Sequence, residues 1–422
     1  MKLLIQNGHV IDPKTKMSKI CDLLIQDETI VQIADRIETT PDMKVLDASG
    51  LLVGPGFVDV HVHFRDPGLT AKEDILTGAA AAARGGYTSV VMMANTKPTI
   101  DCPETMQYVL EKGKTTGIHV YACGNVTMGM KGEELTDMDA LLQAGAIGFT
   151  DDGIPLVREE IVTEAMRKVA SLGVPISFHE ENPALIDNNG VNRGKASAHF
   201  GIGGSPREAE ISMIERDIAL AKGTGASIDI QHISTKEGVE LVRKAKAEGM
   251  DIHAEGTPHH FTLTEEAVIK YGTYAKMNPP LREEADRLAV IEGIKDGTID
   301  MIATDHAPHT KEEKAQELTK APSGIIGLET ALALGITYLV NPGHVSPELL
   351  FERMSTGPAQ VYHLNAGYVA EGGPADLVLV DPKADVVFTE YASKAENSPF
   401  TGWELKGKVC YTICDGNIVY KA

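Results

Sequence analysis

Basic residues are scarce in this chain: 39 Lys and Arg stand against 60 Asp and Glu in 422 residues, a formal net charge of −21. No basic block interrupts the acidic balance, so neither a nucleic acid nor an anionic membrane is an expected partner. A small anionic substrate is still compatible, because one local arginine can dominate a pocket. Cysteine is also sparse. Cys21, Cys102, Cys123, Cys410 and Cys414 form no CxxC pair, and an odd count suits reduced thiols that behave as small buried hydrophobes. Long apolar runs are missing as well. The first residues, Met1-Lys2-Leu3-Leu4-Ile5-Gln6-Asn7-Gly8, have no apolar core of signal-peptide length, and no stretch approaches a membrane span, so a cytoplasmic location is expected. What the chain does have is 43% hydrophobic residues and 41 glycines, enough for one large domain with a smaller one beside it.

After residue 55 one theme recurs: a short apolar β-branched run, a turn rich in Gly, Asn, Asp or Pro, then a stretch of helix formers. Eight runs follow this pattern, at 57–63, 87–94, 118–125, 146–150, 174–179, 226–232, 250–254 and 299–304. Between them, segments such as 71–84, 158–172, 206–222 and 236–248 place apolar residues three or four apart. Eight alternations of strand and helix imply a (β/α)8 TIM barrel over 55–365. The flanks differ. Residues 1–54 and 366–422 carry short strand-like runs and turns such as Asp415-Gly416-Asn417, which predicts a small composite β-sandwich formed by the N- and C-terminal segments. Two long loops, 182–205 and 306–325, are candidates for a lid over the barrel mouth or for passive insertions.

The run Val58-Asp59-Val60-His61-Val62-His63-Phe64 alternates apolar with polar residues, so His61 and His63 project to one face of a strand. Alone, the pair is either half a metal site or a wet strand face. In a barrel, chemistry gathers at the C-terminal strand ends, and the other ends decide between these readings. The fourth ends Thr150-Asp151-Asp152-Gly153, the fifth Phe178-His179-Glu180, the sixth Gln231-His232 and the eighth Thr304-Asp305-His306-Ala307-Pro308-His309. Imidazole and carboxylate without thiolate suit zinc. Four histidines and two carboxylates exceed one tetrahedral shell, which points to two ions bridged by a carboxylate and a water-derived hydroxide. Such a centre hydrolyses unreactive amides, with Asp305 as the candidate base that moves the proton to the departing nitrogen.

This ordered set resembles the amidohydrolase superfamily. Within it, the segments 59–68, Asn95-Thr96-Lys97-Pro98, Met277-Asn278-Pro279-Pro280-Leu281-Arg282 and Asp305-His306-Ala307-Pro308-His309 resemble dihydroorotases of the long bacterial type, and 372–381 is similar to the superfamily's C-terminal sandwich segment. The resemblance implies reversible interconversion of dihydroorotate and N-carbamoyl-aspartate, a step of pyrimidine synthesis. It assigns His61, His63 and Asp305 to one zinc ion, His179 and His232 to a second, and Asp152 to the bridge. Many relatives bridge with a carbamylated lysine, but no lysine ends the fourth strand here; Asp151 is the competing bridge. For the substrate, the resemblance implies a carboxylate clamp of Arg65, Asn95 and His309, a ring hydrogen bond from Asn278, a place beside the substrate for the metal ligand His63, and closure by Ser323 and Gly324. Relatives usually carry Phe where Ser323 stands. It also implies a homodimer, and association with aspartate transcarbamoylase is a further candidate. Allantoinase-like or dihydropyrimidinase-like hydrolysis, or a non-catalytic scaffold for aspartate transcarbamoylase, are the alternatives; Arg65 speaks against uncharged rings, and the full ligand set against a scaffold.

The remaining candidates receive plainer expectations. Arg65 has an alternative as a surface ion pair with Asp66 or Glu73. His253 reads as a packed core residue, while His259 and His260 carry no ligand role by resemblance. His119, His199, His344 and His363 show no partner pattern. Glu180 and Glu181 read as a solvated pair rather than as acceptors for metal-bound imidazoles.

Overall fold

The computed structural model describes residues 2–422. Its N-terminal strands are β1 (Lys2–Asp12), β2 (Met17–Gln26), β3 (Thr29–Ala34), β4 (Met43–Asp47) and β5 (Leu52–Pro55). Next come eight short strands: β6 (Phe57–Val62), β7 (Tyr87–Met92), β8 (His119–Ala122), β9 (Phe149–Thr150), β10 (Ile176–Phe178), β11 (Ile228–Ile230), β12 (Ile252–Gly256) and β13 (Met301–Ile302). The chain closes with β14 (Leu377–Val387), β15 (Glu404–Cys414) and β16 (Asn417–Lys421).

The two chain ends share one eight-stranded sheet, ordered β16-β15-β14-β5-β1-β2-β3 with β4 beside β1. The antiparallel pairing of Leu377, Val378 and Leu379 with Pro55, Gly54 and Val53 ties the C-terminal strands to the N-terminal ones. On one face Leu3, Ile5, Leu23, Ile25, Val53, Leu377 and Ile413 form a core of their own. Leu4 and Leu24 meet Ile37 on the other face, as the two-residue period of a strand requires.

The middle strands are parallel. Two gaps in their ladder are closed by backbone bonds, Thr150 N to Gly124 O (2.9 Å) and Gly124 N to Gly148 O (3.0 Å) among them at one and His63 N to His306 O (2.9 Å) at the other. The eight therefore form a closed (β/α)8 barrel. Val58 and Val60 cluster with Val91, Met301 and Tyr362, and the register of β6 on β7 shifts between Asp59 and Val62, where the His61 ring meets that of His232 from β11's end. Outer helices follow their apolar stripes. Glu159–Leu172 buries Ile161, Val162, Ala165, Met166 and Val169 and stops at Gly173 in left-handed backbone.

All eight expected runs contain a strand, shorter than the apolar run in all but the seventh. There the strand lies at Ile252–Gly256 instead of 250–254. His253 departs from its expected core position: it is partly exposed and lies 3.0 Å from Asp251 and 3.6 Å from Asp300. His119 also has a partner that spacing did not reveal, Asp376 just before β14, at 3.1 Å.

Candidate metal centre and substrate pocket

The strand ends bring His61, His63, Asp152, His179, His232 and Asp305 together, all buried. Asp152 sits in the middle. Its Oδ1 lies 3.4 Å from His61 Nε2 and 3.6 Å from both His179 Nδ1 and His232 Nε2, while its Oδ2 is 3.4 Å from His63 Nε2. Asp305 Oδ1 is 2.9 Å from His63 Nε2 and 3.5 Å from His61 Nε2. His179 Nδ1 and His232 Nε2 are 2.9 Å apart. A tetrahedral shell with ligands about 2.1 Å from the ion has edges of about 3.4 Å, the scale of these separations. His61, His63 and Asp305 form one compact group and His61, Asp152 and His232 another. His61 Nε2 is moreover buried with no hydrogen-bond partner, a lone pair directed at the place a cation would take. The donor set fits a metal.

Three of the four imidazoles are oriented from behind, while His232 Nδ1 is buried without a partner. Glu255 Oε2 lies 2.8 Å from His61 Nδ1, Asn95 Oδ1 3.0 Å from His63 Nδ1 and Glu181 Oε2 3.1 Å from His179 Nε2. These contacts fix the tautomer and free the opposite nitrogen for a metal. Glu181 is thus buried and engaged, with Ser205 Oγ also donating to it at 2.8 Å, and Glu180 is buried beside Asp217. The expected solvated pair does not exist. Asp151, the competing bridge, turns away: its carboxylate accepts from Asn125 Nδ2, Val126 N and Thr127 N.

The electrostatics suit cation binding. Burial alone would push the Asp152 and Asp305 carboxyls up, yet His61 and the neighbouring imidazoles hold both well below the usual carboxylate range. Burial would lower His179, but Asp152 and Glu181 push it up to about 9. Without a cation the cluster shares protons; a divalent ion replaces them.

Arg65, Asn95, Asn278, His309, Ser323 and Gly324 line the same cavity, about 230 Å³, together with Gly153, Asn189 and Ala307. Arg65 forms no ion pair with Asp66 or Glu73. Asp66 is engaged by Lys112 Nζ (2.5 Å) and Tyr108 Oη (3.0 Å), and Glu73 by Ser393 and Thr77. The guanidinium keeps its Nε buried and unpartnered. Gly68 locks this turn onto the loop of Asn95: a Cβ there would lie 1.8 Å from Lys97 O, and its φ is +87°. Asn95 Nδ2 donates to Asp152 O at 3.2 Å, and Asn278 Oδ1 is a buried acceptor without a donor. His309 Nε2 donates to Ser323 O at 2.8 Å. Burial and then the Arg65 and Lys72 cations push its imidazole down to about 2, so it is neutral. Three site residues other than glycine hold left-handed backbone, Arg65 (φ 59°), His232 (φ 36°) and Asp305 (φ 48°), strain of the kind that collects at functional sites.

A family model described as Dihydro-orotase-like matches residues 50–238. A dihydroorotase of Clostridioides difficile (strain 630) is 54% identical over 420 residues, covering 100% of both chains. This chain belongs to the dihydroorotase family. Another dihydroorotase, from Streptococcus pneumoniae serotype 4, is 52% identical over 422 residues, again with 100% of both covered. Among solved structures, the L-hydantoinase (dihydropyrimidinase) of Arthrobacter aurescens superposes with a TM-score of 0.90 at 25% identity, over 99% of this chain and 96% of that one. The barrel with its flanking sheet is thus shared between this chain and a hydantoinase. Among the described residues no helix is long and apolar enough to cross a membrane.

Sequence reasoning missed Glu255, Gly153 and Asn189. Glu255 had a usable signal, a carboxylate at the end of the seventh strand, but the apolar run was read as ending at Ala254.

Proposed function

We propose that the protein interconverts dihydroorotate and N-carbamoyl-aspartate, and that His61, His63, Asp305, His179 and His232, with Asp152 between them, would hold two zinc ions. The barrel at 55–365 carries the reaction, and 1–54 with 366–422 make the accessory sandwich. One observation carries the choice of substrate: Arg65, whose Nε is buried without a partner among the described residues, opens onto the cavity two residues beyond the His61/His63 pair. A planar fork without a protein partner is a receptor for a carboxylate, which dihydroorotate has and a plain hydantoin ring lacks.

Bound zinc would supply a nucleophile at neutral pH by lowering the pKa of water, and would polarise the scissile carbonyl. The protein does the rest. Arg65, Asn95 and His309 hold the substrate carboxylate and Asn278 Oδ1 accepts from a ring N–H, which sets the ring carbonyl over the cluster. As water oxygen adds to the carbonyl carbon, the Asp305 carboxylate takes the released proton. It then gives that proton to the ring nitrogen as the C–N bond breaks. Cyclisation runs the same steps backwards. A homodimer in the cytoplasm is the assembly and place that accompany this reading.

Loss of ultraviolet absorbance from dihydroorotate, combined with metal analysis, tests the proposal. Turnover with two zinc ions per chain is expected, and Asp305→Ala should remain folded while losing nearly all turnover. A zinc-loaded protein that opens uncharged hydantoins but not dihydroorotate would overturn the substrate assignment.

A further inference from the structure

The loop 306–325 carries three cavity residues, His309, Ser323 and Gly324, and what fixes it is unusual. Lys314 is buried to 1% exposure and Lys276 to 5%. Neither ammonium is ion-paired among the described residues; their partners are backbone carbonyls. Lys276 Nζ donates to Ala321 O (2.6 Å), and Lys314 Nζ to both Pro322 O (2.9 Å) and Gly324 O (3.0 Å). His309 Nε2 takes the intervening Ser323 O, and Asn397 Nδ2 adds a second donor to Gly324 O at 3.1 Å. Four consecutive carbonyls are therefore each occupied by a side-chain donor. Gly324 N returns a bond to Lys276 O at 2.8 Å, and Gly324 could not become another residue: its φ is +110° and a Cβ would lie 2.6 Å from Ala307 Cβ.

Burying an ammonium without a carboxylate is costly. Two such groups converging on one four-residue segment therefore call for an explanation that a methionine in the same place would not meet. We propose that Lys276 and Lys314 are positioning residues: they pin the backbone of 321–324 so that His309, Ser323 and Gly324 form the wall facing Arg65 at the carboxylate end of the cavity. They act through the loop and touch neither substrate nor metal ligands. The proposal rests on the substrate reading above, and it locates the lysines' effect in substrate binding rather than in the chemical step, which belongs to Asp305 and the metal cluster.

Lys314→Met keeps the length and removes both bonds; Lys276→Met removes one bond and is the second variant should the first fail to fold. A wall displaced by about 1 Å costs on the order of 10²-fold in efficiency. For Lys314→Met that loss should appear in KM for dihydroorotate, with kcat within about threefold of the parent and zinc content unchanged. Lys276→Met should show a smaller KM increase. Hydrogen exchange read at the amides of 321–326 should quicken by about tenfold or more in Lys314→Met. Unchanged KM and unchanged exchange in a folded variant would overturn the proposal, as would a loss confined to kcat or to thermal stability. A parent protein inactive on dihydroorotate would instead refute the substrate reading, and the exchange measurement would still decide whether the lysines hold the loop.

Discussion

Replacing Arg65 by Met separates binding from folding more cleanly than any other change at this site. Among the described residues the guanidinium has no ion pair to lose, its Nε is already orphaned, and burial opposes its charge more than the nearby Asp305, Asp152 and Glu313 carboxylates favour it. Removing it should therefore leave the melting temperature unchanged or slightly higher, as for other site residues that function holds in unfavourable surroundings. Substrate binding is different. A bidentate contact to a carboxylate comprises two charge-assisted hydrogen bonds of about 1.5–3 kcal/mol each, and breaking a desolvated pair costs about 3–5 kcal/mol. At about 1.4 kcal/mol per tenfold, kcat/KM for dihydroorotate should fall by about a hundred- to a few-thousandfold, chiefly through KM. Arg65→Lys retains charge but not the fork and should lie between the two. Initial rates followed by ultraviolet absorbance, with melting curves and zinc analysis on the same preparations, supply all three readings. A KM within about threefold of the parent value would refute the carboxylate role. A fall in melting temperature accompanied by loss of zinc would show that Arg65 supports the metal cluster instead.

Glu255→Gln should weaken metal retention by about 10–100-fold, because the carboxylate behind His61 Nδ1 raises the basicity of the ligating nitrogen; chelator competition measures this, and unchanged retention would remove Glu255 from the metal's support. Asp152→Ala should lower zinc occupancy whereas Asp151→Ala should not, since only the first carboxylate faces the histidines; the reverse result would transfer the bridge to Asp151. His309 is pushed down to about 2, first by burial and then by Arg65, so its neutral form prevails and it contributes no change of KM between about pH 5 and 8, where a free imidazole titrates. An inflection in that range that vanishes in His309→Asn would contradict the assignment.

The barrel was legible because its strands are short apolar runs at regular intervals, and the candidate metal cluster because His and Asp at strand ends have few structural uses. What lay beyond local pattern was direction. Glu180 and Glu181 are adjacent carboxylates, which in most contexts face water; here the turn after β10 sends one toward Asp217 and the other toward His179 Nε2. Neither partner is deducible without the fold. Glu255 escaped for a smaller reason, a strand that runs two residues beyond its apolar run and carries a carboxylate in those two. Lys276 and Lys314 carry no signal in the sequence, for their partners are main-chain carbonyls that every residue possesses.

The likeness to a hydantoinase at a TM-score of 0.90 limits what the scaffold can explain. A barrel and flanking sheet common to both leave substrate choice to side chains on the loops above the strands. In this chain those loops converge at one end of the cavity: Arg65 from the turn after β6, Asn95 from that after β7, and His309, Ser323 and Gly324 from the loop after β13. Each is secured by contacts away from the reacting centre, Gly68 against Lys97 in one case and the lysine pair in another. The cluster of His and Asp can therefore be conserved in geometry while the opposite end is re-tuned. A charge receptor placed there selects through binding, because the carboxylate keeps its charge throughout ring opening and is held equally in ground and transition states. That is why the arginine and lysine variants are expected to act on KM, and the Asp305 variant on kcat.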